Sequence, residues 1–243
     1  MYASRAFIDW NGRTKPIFSF RWTSRELHMV LGHYGLALAM KRAAPRVSLG
    51  TLTGAAQLAD LIWPMLLLVG LEHVTIVANA NPFLRLSFDS YPWTHSLLMA
   101  SVLGALVGVA YAAAYADRRG GVIVGLLVVS HWVLDWIVHL PDLPLYPDGP
   151  RVGLGLWRSV SGTIALEALI FMIGVALYTR ATRATDRTGR WALWGFVAVL
   201  VVLYVASIYT PPPATVSSLA WAALAGWLIP LFSWWVDRHR AAS

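Results

Sequence analysis

The sequence predicts an all-α protein, a polytopic transmembrane helical bundle of about six full spans plus one short N-terminal membrane helix. The chain of 243 residues is 58% hydrophobic and only 13% charged, whereas ordinary globular domains carry about 25% charged residues. Several apolar runs reach about 20 residues with at most one charge, which is the length that a bilayer requires. The absence of cysteine excludes a disulfide-stapled secreted domain.

The apolar runs predict the helices in order along the chain. The first, at about Leu27–Met40, is too short to cross a bilayer comfortably. The full spans are predicted at about Ser48–Leu71, Ser96–Ala116, Gly121–Leu140, Ser161–Tyr178, Trp191–Ile208 and Ser218–Val236. Turn residues rich in proline, glycine and asparagine separate these runs, and no alternating β pattern is visible between them.

The helical residues 27–238 are expected to form a single domain, between a polar arm at 1–26 and a C-terminal tail at 239–243. The arm lacks the apolar core of a signal peptide. Two interpretations of it remain open: a loosely ordered cytoplasmic arm, or an extension upstream of a natural start at Met29.

The net charge of +7 predicts orientation rather than nucleic-acid binding, because the basic residues lie mostly in short connections and form no folded basic face. With six spans after Arg46, all basic clusters fall on one side, which should be the cytoplasmic side. The expected location is a bacterial inner membrane with the C-terminus in the cytoplasm, and the expected partner is the lipid bilayer. Tryptophans near span ends, Trp157 among them, are typical of an aromatic belt at the membrane interface. The clusters are Lys41/Arg42/Arg46, Arg118/Arg119, Arg180/Arg183/Arg187/Arg190 and Arg238/Arg240.

Ionisable side chains inside the apolar runs are the candidates for function, because each costs at least about 2.5–3.5 kcal/mol in a bilayer. The clearest pattern places His131, Asp135 and His139 at four-residue steps on one face of a helix. A histidine nitrogen and a carboxylate one turn apart can bind the same divalent cation. A buried histidine–aspartate hydrogen bond has the same spacing, so both interpretations remain open.

Depth in the membrane favours the metal interpretation. At 1.5 Å per residue, Asp60 lies about 15–18 Å, His131 about 15 Å and His33 about 12 Å from the cytoplasmic ends of their helices. Asp135 lies about 6 Å further out, towards His95 at the outer start of its own helix. Such mixed nitrogen and oxygen donors suit Zn²⁺ best, with Mn²⁺ or Fe²⁺ as alternatives and one or two ions bound.

Segments containing these residues resemble one known family, the YdjM-type inner-membrane proteins, which are described as membrane-bound metal-dependent hydrolases. The resemblance covers about residues 30–140 and implies a metal held by His33, Asp60, His95, His131 and Asp135. Two departures are visible: Pro92-Trp93 replaces a frequent Arg-Gly, and Asp60-Leu61-Ile62 lacks the second acid of a frequent Asp-x-Asp pair. The matching segments are Gly32-His33, Ala59-Asp60, Pro92–Leu98 and Ser130–Asp135.

Other polar residues receive secondary roles. His139 and Glu167 are the candidate general acid or base, although His139 also suits the interface and Glu167 a partner of a ligating histidine or of Arg158. Thr94 is predicted to cap the helix that begins at His95. The final two spans are expected only to pack. Solvated roles are predicted for His28, Glu72, His73, Asp89 and His239.

Three functions therefore remain open. The leading hypothesis is a metal-dependent hydrolase acting on an amphiphilic phosphoester or acyl ester, with a site open to the outer side. The second is an ion or proton transporter that uses the same polar cluster. The third is a non-catalytic scaffold subunit whose polar residues lock the helices together.

Overall fold

The computed structural model describes residues 31–243, together with the backbone of two short strands nearer the N-terminus. These strands, β1 (Phe7–Ile8) and β2 (Thr14–Lys15), pair antiparallel. The rest of the predicted arm, the start of the predicted first helix and His28 lie outside the described residues.

Helices dominate the described part of the chain, and the predicted all-α bundle is confirmed. Within the described residues, three short 3₁₀ helices cover Pro82–Leu84, Leu156–Arg158 and Leu224–Trp227. The helices are α1 (Leu31–Met40), α2 (Leu49–Ala56), α3 (Leu58–Leu68), α4 (Pro92–His95), α5 (Leu97–Tyr115), α6 (Arg118–Val138), α7 (Val160–Ala181), α8 (Arg187–Tyr209), α9 (Val216–Ala223) and α10 (Leu228–Arg238).

Within residues 31–243, five helical segments are long and apolar enough to cross a membrane: α5, α6, α7, α8 and the continuous stretch Val216–Arg238. The bent pair α2–α3 makes a sixth if it counts as one span. The chain is thus an integral membrane protein. The ten described residues of α1 extend over about 15 Å.

Two predicted spans depart from a regular α-helix. The predicted helix Ser48–Leu71 is two helices that meet at Gln57 with a bend of 55°. The backbone of Gln57 is not helical. Pro64 inside α3 further weakens the backbone hydrogen bonding of this span, because proline has no N–H to donate. The last predicted span contains the 3₁₀ segment Leu224–Trp227 between α9 and α10.

The connections contain short strands that the sequence pattern did not indicate. β3 (His73–Ile76) and β4 (Leu86–Ser90) form an antiparallel hairpin between α3 and α4. A smaller pair, β5 (Leu143–Pro144) and β6 (Arg151–Val152), lies between α6 and α7. Strands of two to five residues are too short for an alternating pattern to stand out in the sequence.

Glycine brings the central helices into close contact. A Cβ at Gly104 of α5 would lie 2.7 Å from the carbonyl oxygen of Gly125 on α6, and a Cβ at Gly35 of α1 would lie 2.7 Å from the backbone of Phe171 on α7. Small residues permit such close helix packing in membranes. The α1–α7 contact fixes the short helix that carries His33.

The basic clusters gather at one end of the bundle. Lys41 Nζ lies 2.6 Å from Asp237 Oδ2, which joins the end of α1 to the end of α10. β7 (Thr182–Ala184) pairs with β8 (Arg240–Ala242), so the C-terminal tail is tied to the end of α7. Arg46 and Arg119 border one surface pocket at the same end. The β3–β4 hairpin lies at the opposite end.

Candidate metal centre

Five side chains from four helices meet in the half of the bundle beneath the β3–β4 hairpin. His33 comes from α1, Asp60 from α3 and His95 from the end of α4, while His131 and Asp135 come from α6. Four of them are buried, and the Asp60 side chain is 33% exposed. The structure therefore brings together all the residues that the sequence singled out as metal ligands.

Four histidine–carboxylate pairs in this cluster have donor separations close to those found around a small cation. Oδ1 of Asp60 lies 3.3 Å from Nε2 of His95 and 3.7 Å from Nε2 of His131. Oδ2 of Asp135 lies 3.2 Å from Nε2 of His131 and 3.9 Å from Nε2 of His95. A tetrahedral zinc ion with bonds of about 2.0–2.1 Å separates its ligand atoms by about 3.3–3.4 Å. The observed separations bracket that value.

The tautomer of neutral His131 is fixed by a backbone carbonyl. Its Nδ1 lies 2.8 Å from the oxygen of Ala56, and a carbonyl only accepts hydrogen bonds, so Nδ1 carries the proton. Ala56 ends α2 at the break, where the last helical carbonyls have no partner within the helix. Nε2 of His131 is buried, has no hydrogen-bond partner and presents its lone pair to the carboxylates. Metal-binding histidines are typically oriented in this way.

Thr94 and Glu72 support His95 from behind. Thr94 Oγ1 lies 2.7 Å from Nδ1 of His95 and 2.7 Å from Oε2 of Glu72.

The residue that caps α5 is Ser96, whose Oγ accepts a hydrogen bond from Met99 N, so the predicted cap at Thr94 is wrong. The solvated role predicted for Glu72 is also wrong, because its exposed fraction is 1%. His73 and Asp89 are exposed as predicted.

His33 lies on the other side of Asp135. Its Nε2 is 3.4 Å from Oδ1 of Asp135 and 3.4 Å from the carbonyl oxygen of His131, and its ring centroid lies 4.0 Å from that of His131. His33, His131 and Asp135 form a second group with metal-binding geometry, which shares His131 with the group of Asp60 and His95. His131 belongs to both groups and joins them into one set of five candidate ligands.

The cluster requires positive charge. Two carboxylates face imidazole lone pairs in a poorly solvated space, and buried charges must be paired or coordinate a metal. Protonated imidazoles or a divalent cation would both supply the missing charge. A donor set of imidazole nitrogen and carboxylate oxygen fits a divalent cation such as Zn²⁺, so the residues present could hold one.

A narrow cavity of about 50 Å³ adjoins the cluster. Asp60, His95 and Asp135 line one side of it, and Ala223 and Gly226 of the last span line another. The last span, for which packing and no chemistry was expected, thus also forms a wall of the cavity.

His139 also lines this cavity. It caps the C-terminal end of α6, and its Nδ1 lies 3.0 Å from Oδ1 of Asp142. The Tyr91 hydroxyl donates a hydrogen bond of 3.3 Å to the same oxygen. Burial, and then the charge of Asp142, raise the pKa of Tyr91 well above its usual range, so the phenol keeps its proton. Trp157 packs 4.0 Å from the His139 ring and is 2% exposed, so its predicted place in an interface belt is wrong.

Glu167, the second candidate acid or base, lies elsewhere. It is buried on α7, and its Oε2 accepts a hydrogen bond of 3.0 Å from the backbone N–H of Leu31. This contact joins the first described residue of α1 to α7. Glu167 is not among the described residues that line the cavity.

The similarity to YdjM-type proteins rests on the motifs around His33, Asp60, His95 and His131 and stays a prediction. No family model, curated protein or solved structure matches the chain.

Proposed function

We propose that this chain is a membrane-bound metal-dependent hydrolase whose buried cluster holds a divalent cation, with Zn²⁺ the best fit. His33, Asp60, His95, His131 and Asp135 would hold the ion. One observation carries the proposal: Nε2 atoms of two histidines, whose Nδ1 atoms are already engaged, lie 3.2–3.9 Å from two carboxylates. A bound divalent cation supplies Lewis acidity, which lowers the pKa of a water and polarises a phosphoryl or acyl oxygen.

His139 is the general acid or base in this proposal. Its Nδ1–H donates to Asp142, which leaves Nε2 as the nitrogen that exchanges a proton with water or a leaving group. A carboxylate that fixes the tautomer of a catalytic histidine is a common arrangement in hydrolases. Tyr91 donates to the same carboxylate and so holds Asp142 in place. Glu167 lacks such a position beside the cavity.

The position of the cavity supports an amphiphilic substrate. Its walls include apolar side chains such as Trp63, Leu86 and Phe88, with the carboxylates at one side. It lies at the end of the bundle opposite the basic clusters. If those clusters face the cytoplasm, the cavity faces the outer side of a bacterial inner membrane and the C-terminus is cytoplasmic. A phosphoester or acyl ester of a lipid would place its polar group at the cluster.

Metal content and hydrolysis test the proposal together. Detergent-purified wild type should hold a stoichiometric divalent metal by elemental analysis and cleave generic phosphoesters or acyl esters presented in micelles. His95→Ala should lose both, whereas His73→Ala, the same change at an exposed histidine, should lose neither. Wild type that holds no stoichiometric metal even after reloading with Zn²⁺ would contradict the proposal.

Ion or proton transport is the second candidate, favoured by the break between α2 and α3 and by the 3₁₀ turn in the last span. Gln57 at the α2–α3 break and Gly226 in the 3₁₀ segment of the last span both line the cavity. Interrupted helices around a polar site near the membrane midplane are typical of secondary transporters. Proteoliposomes loaded with a pH or Zn²⁺ indicator distinguish the candidates. Flux that Asp135→Asn abolishes, without ester cleavage, would favour transport.

A further inference from the structure

Glu72 is a buried carboxylate that neither binds the ion nor transfers a proton in the proposed function. It follows α3, at the start of the connection that leads into the β3–β4 hairpin, and is 1% exposed. Its Oε1 accepts hydrogen bonds from the backbone N–H groups of Trp93 (2.8 Å) and Thr94 (2.9 Å). Its Oε2 accepts a third, from the Thr94 hydroxyl at 2.7 Å.

The direction of these hydrogen bonds determines the state of His95. The Thr94 hydroxyl has one proton, and the carboxylate of Glu72 can only accept. That proton therefore goes to Glu72, so Oγ1 of Thr94 accepts the Nδ1–H of His95 across 2.7 Å. Neutral His95 then has its lone pair on Nε2, the atom that lies 3.3 Å from Asp60.

We propose that Glu72, acting through Thr94, is a positioning residue that fixes His95 in the metal-binding tautomer. Carboxylates that orient ligating histidines increase ligand basicity, and their loss typically weakens metal binding about 10–100-fold. Here a threonine hydroxyl lies between the carboxylate and the histidine. The consequence for metal affinity rests on the proposed function, whereas the tautomer of His95 does not.

The hydrogen bonds from His95 through Thr94 to Glu72 are called the relay below. Glu72→Gln tests the relay because it reverses the direction of these hydrogen bonds without changing the shape of the side chain. The backbone N–H groups of Trp93 and Thr94 require an acceptor, so the glutamine oxygen takes the place of Oε1 and the amide N–H₂ faces Oγ1. The hydroxyl of Thr94 then donates to Nδ1 of His95, and the imidazole proton moves to Nε2. Thr94→Val removes the hydroxyl but leaves both backbone bonds of Glu72, and Thr94→Ser restores a hydroxyl.

Two measurements follow each variant. In chelator-treated protein labelled with ¹⁵N-histidine, the chemical shifts of His95 distinguish the tautomers, with its signals assigned by their loss in His95→Gln. The His95 ring should carry its proton on Nδ1 in wild type and in Thr94→Ser, and on Nε2 in Glu72→Gln. Competition with a zinc-binding dye should show about 10–100-fold weaker Zn²⁺ binding for Glu72→Gln and Thr94→Val. Binding close to wild type is expected for Thr94→Ser and for Thr163→Val, a matched control at a buried threonine whose hydroxyl bonds to Leu156 and Ser159 carbonyls.

The outcomes separate this inference from the proposed function. An unchanged His95 tautomer in Glu72→Gln overturns the relay, even in a protein that binds Zn²⁺ and is active. The relay is also overturned if Glu72→Gln binds Zn²⁺ weakly while Thr94→Val binds it as wild type does. Glu72 would then act only through its hydrogen bonds to the backbone N–H groups of Trp93 and Thr94. A wild type that binds no Zn²⁺ ends the hydrolase proposal, and the ¹⁵N measurement still decides the relay.

Discussion

Replacing Asp135 with asparagine distinguishes a cation site from an ion pair with protonated histidine, because the two arrangements predict thermal shifts of opposite sign. Oδ2 of Asp135 lies 3.2 Å from Nε2 of His131. If His131 is neutral, its proton is on Nδ1, bonded to the Ala56 carbonyl, and two lone pairs face each other in the metal-free protein. The asparagine amide would donate to that nitrogen, while its oxygen would still face His33.

Typical interaction energies give the expected size of each shift. One added hydrogen bond contributes about 0.5–1.5 kcal/mol to the free energy of unfolding. In a chain of this size, about 1 kcal/mol corresponds to about 2–4 °C in Tm. Metal-free Asp135→Asn should therefore melt a few degrees above metal-free wild type. If His131 were an imidazolium, the change would strand a buried charge at a cost of about 3–5 kcal/mol and lower Tm by about 6–20 °C.

Thermal unfolding in detergent is measured twice for each protein, once with chelator and once with Zn²⁺. Zn²⁺ at 100 times its Kd should stabilise wild type by about 2.7 kcal/mol, or about 5–11 °C, and should stabilise Asp135→Asn much less. Asp148→Asn, the same change at an exposed position, should behave as wild type. A chelated Asp135→Asn protein that melts well below chelated wild type, with no Zn²⁺ response in either, would refute the cation site.

Three further changes test the catalytic histidine, the cavity and the helix packing. Asp142→Asn should lower kcat about 10²–10⁴-fold, the usual contribution of acid–base catalysis, with Zn²⁺ content unchanged; equal loss of metal and kcat would contradict this role. Ala223→Phe should block the cavity and abolish turnover with the metal retained, whereas Ala222→Phe, at the neighbouring position, should leave turnover intact. Similar activity of the two variants would contradict substrate entry through this cavity. Gly174→Ala places a methyl against the backbone of α1 and should destabilise by about 1–3 kcal/mol, measured as Tm. Gly195→Ala meets no atom within 4 Å and should stabilise by up to about 1 kcal/mol; equal shifts would refute the packing argument.

The sequence predicts well what depends on helix geometry alone. Hydropathy identifies the long spans, and the fixed rise per residue places His33, Asp60 and His131 at a similar depth before any contact is known. The break at Gln57 could not be predicted, because the run of apolar residues continues on both sides of it. The mean hydropathy of such a run does not change noticeably when the backbone of one residue departs from helical geometry.

The remaining errors concern contacts between distant parts of the chain. Glu72 follows the end of a span, where side chains are usually solvated, yet its partner Thr94 is 22 residues away across a hairpin. Trp157 near a span end is typical of the interface, but its ring packs against His139. The side chain of Ala223 has no polar atom, so a search for chemistry along the sequence could not identify it as part of a cavity wall.

The bend between α2 and α3 links chain geometry to coordination. By ending a helix at Ala56, it exposes the carbonyl that keeps His131 in one tautomer. A homologous chain that closed this gap with a regular turn would satisfy that carbonyl internally and leave the imidazole without its anchor. The interruption and the histidine should therefore be gained or lost together in evolution, although 75 positions separate them.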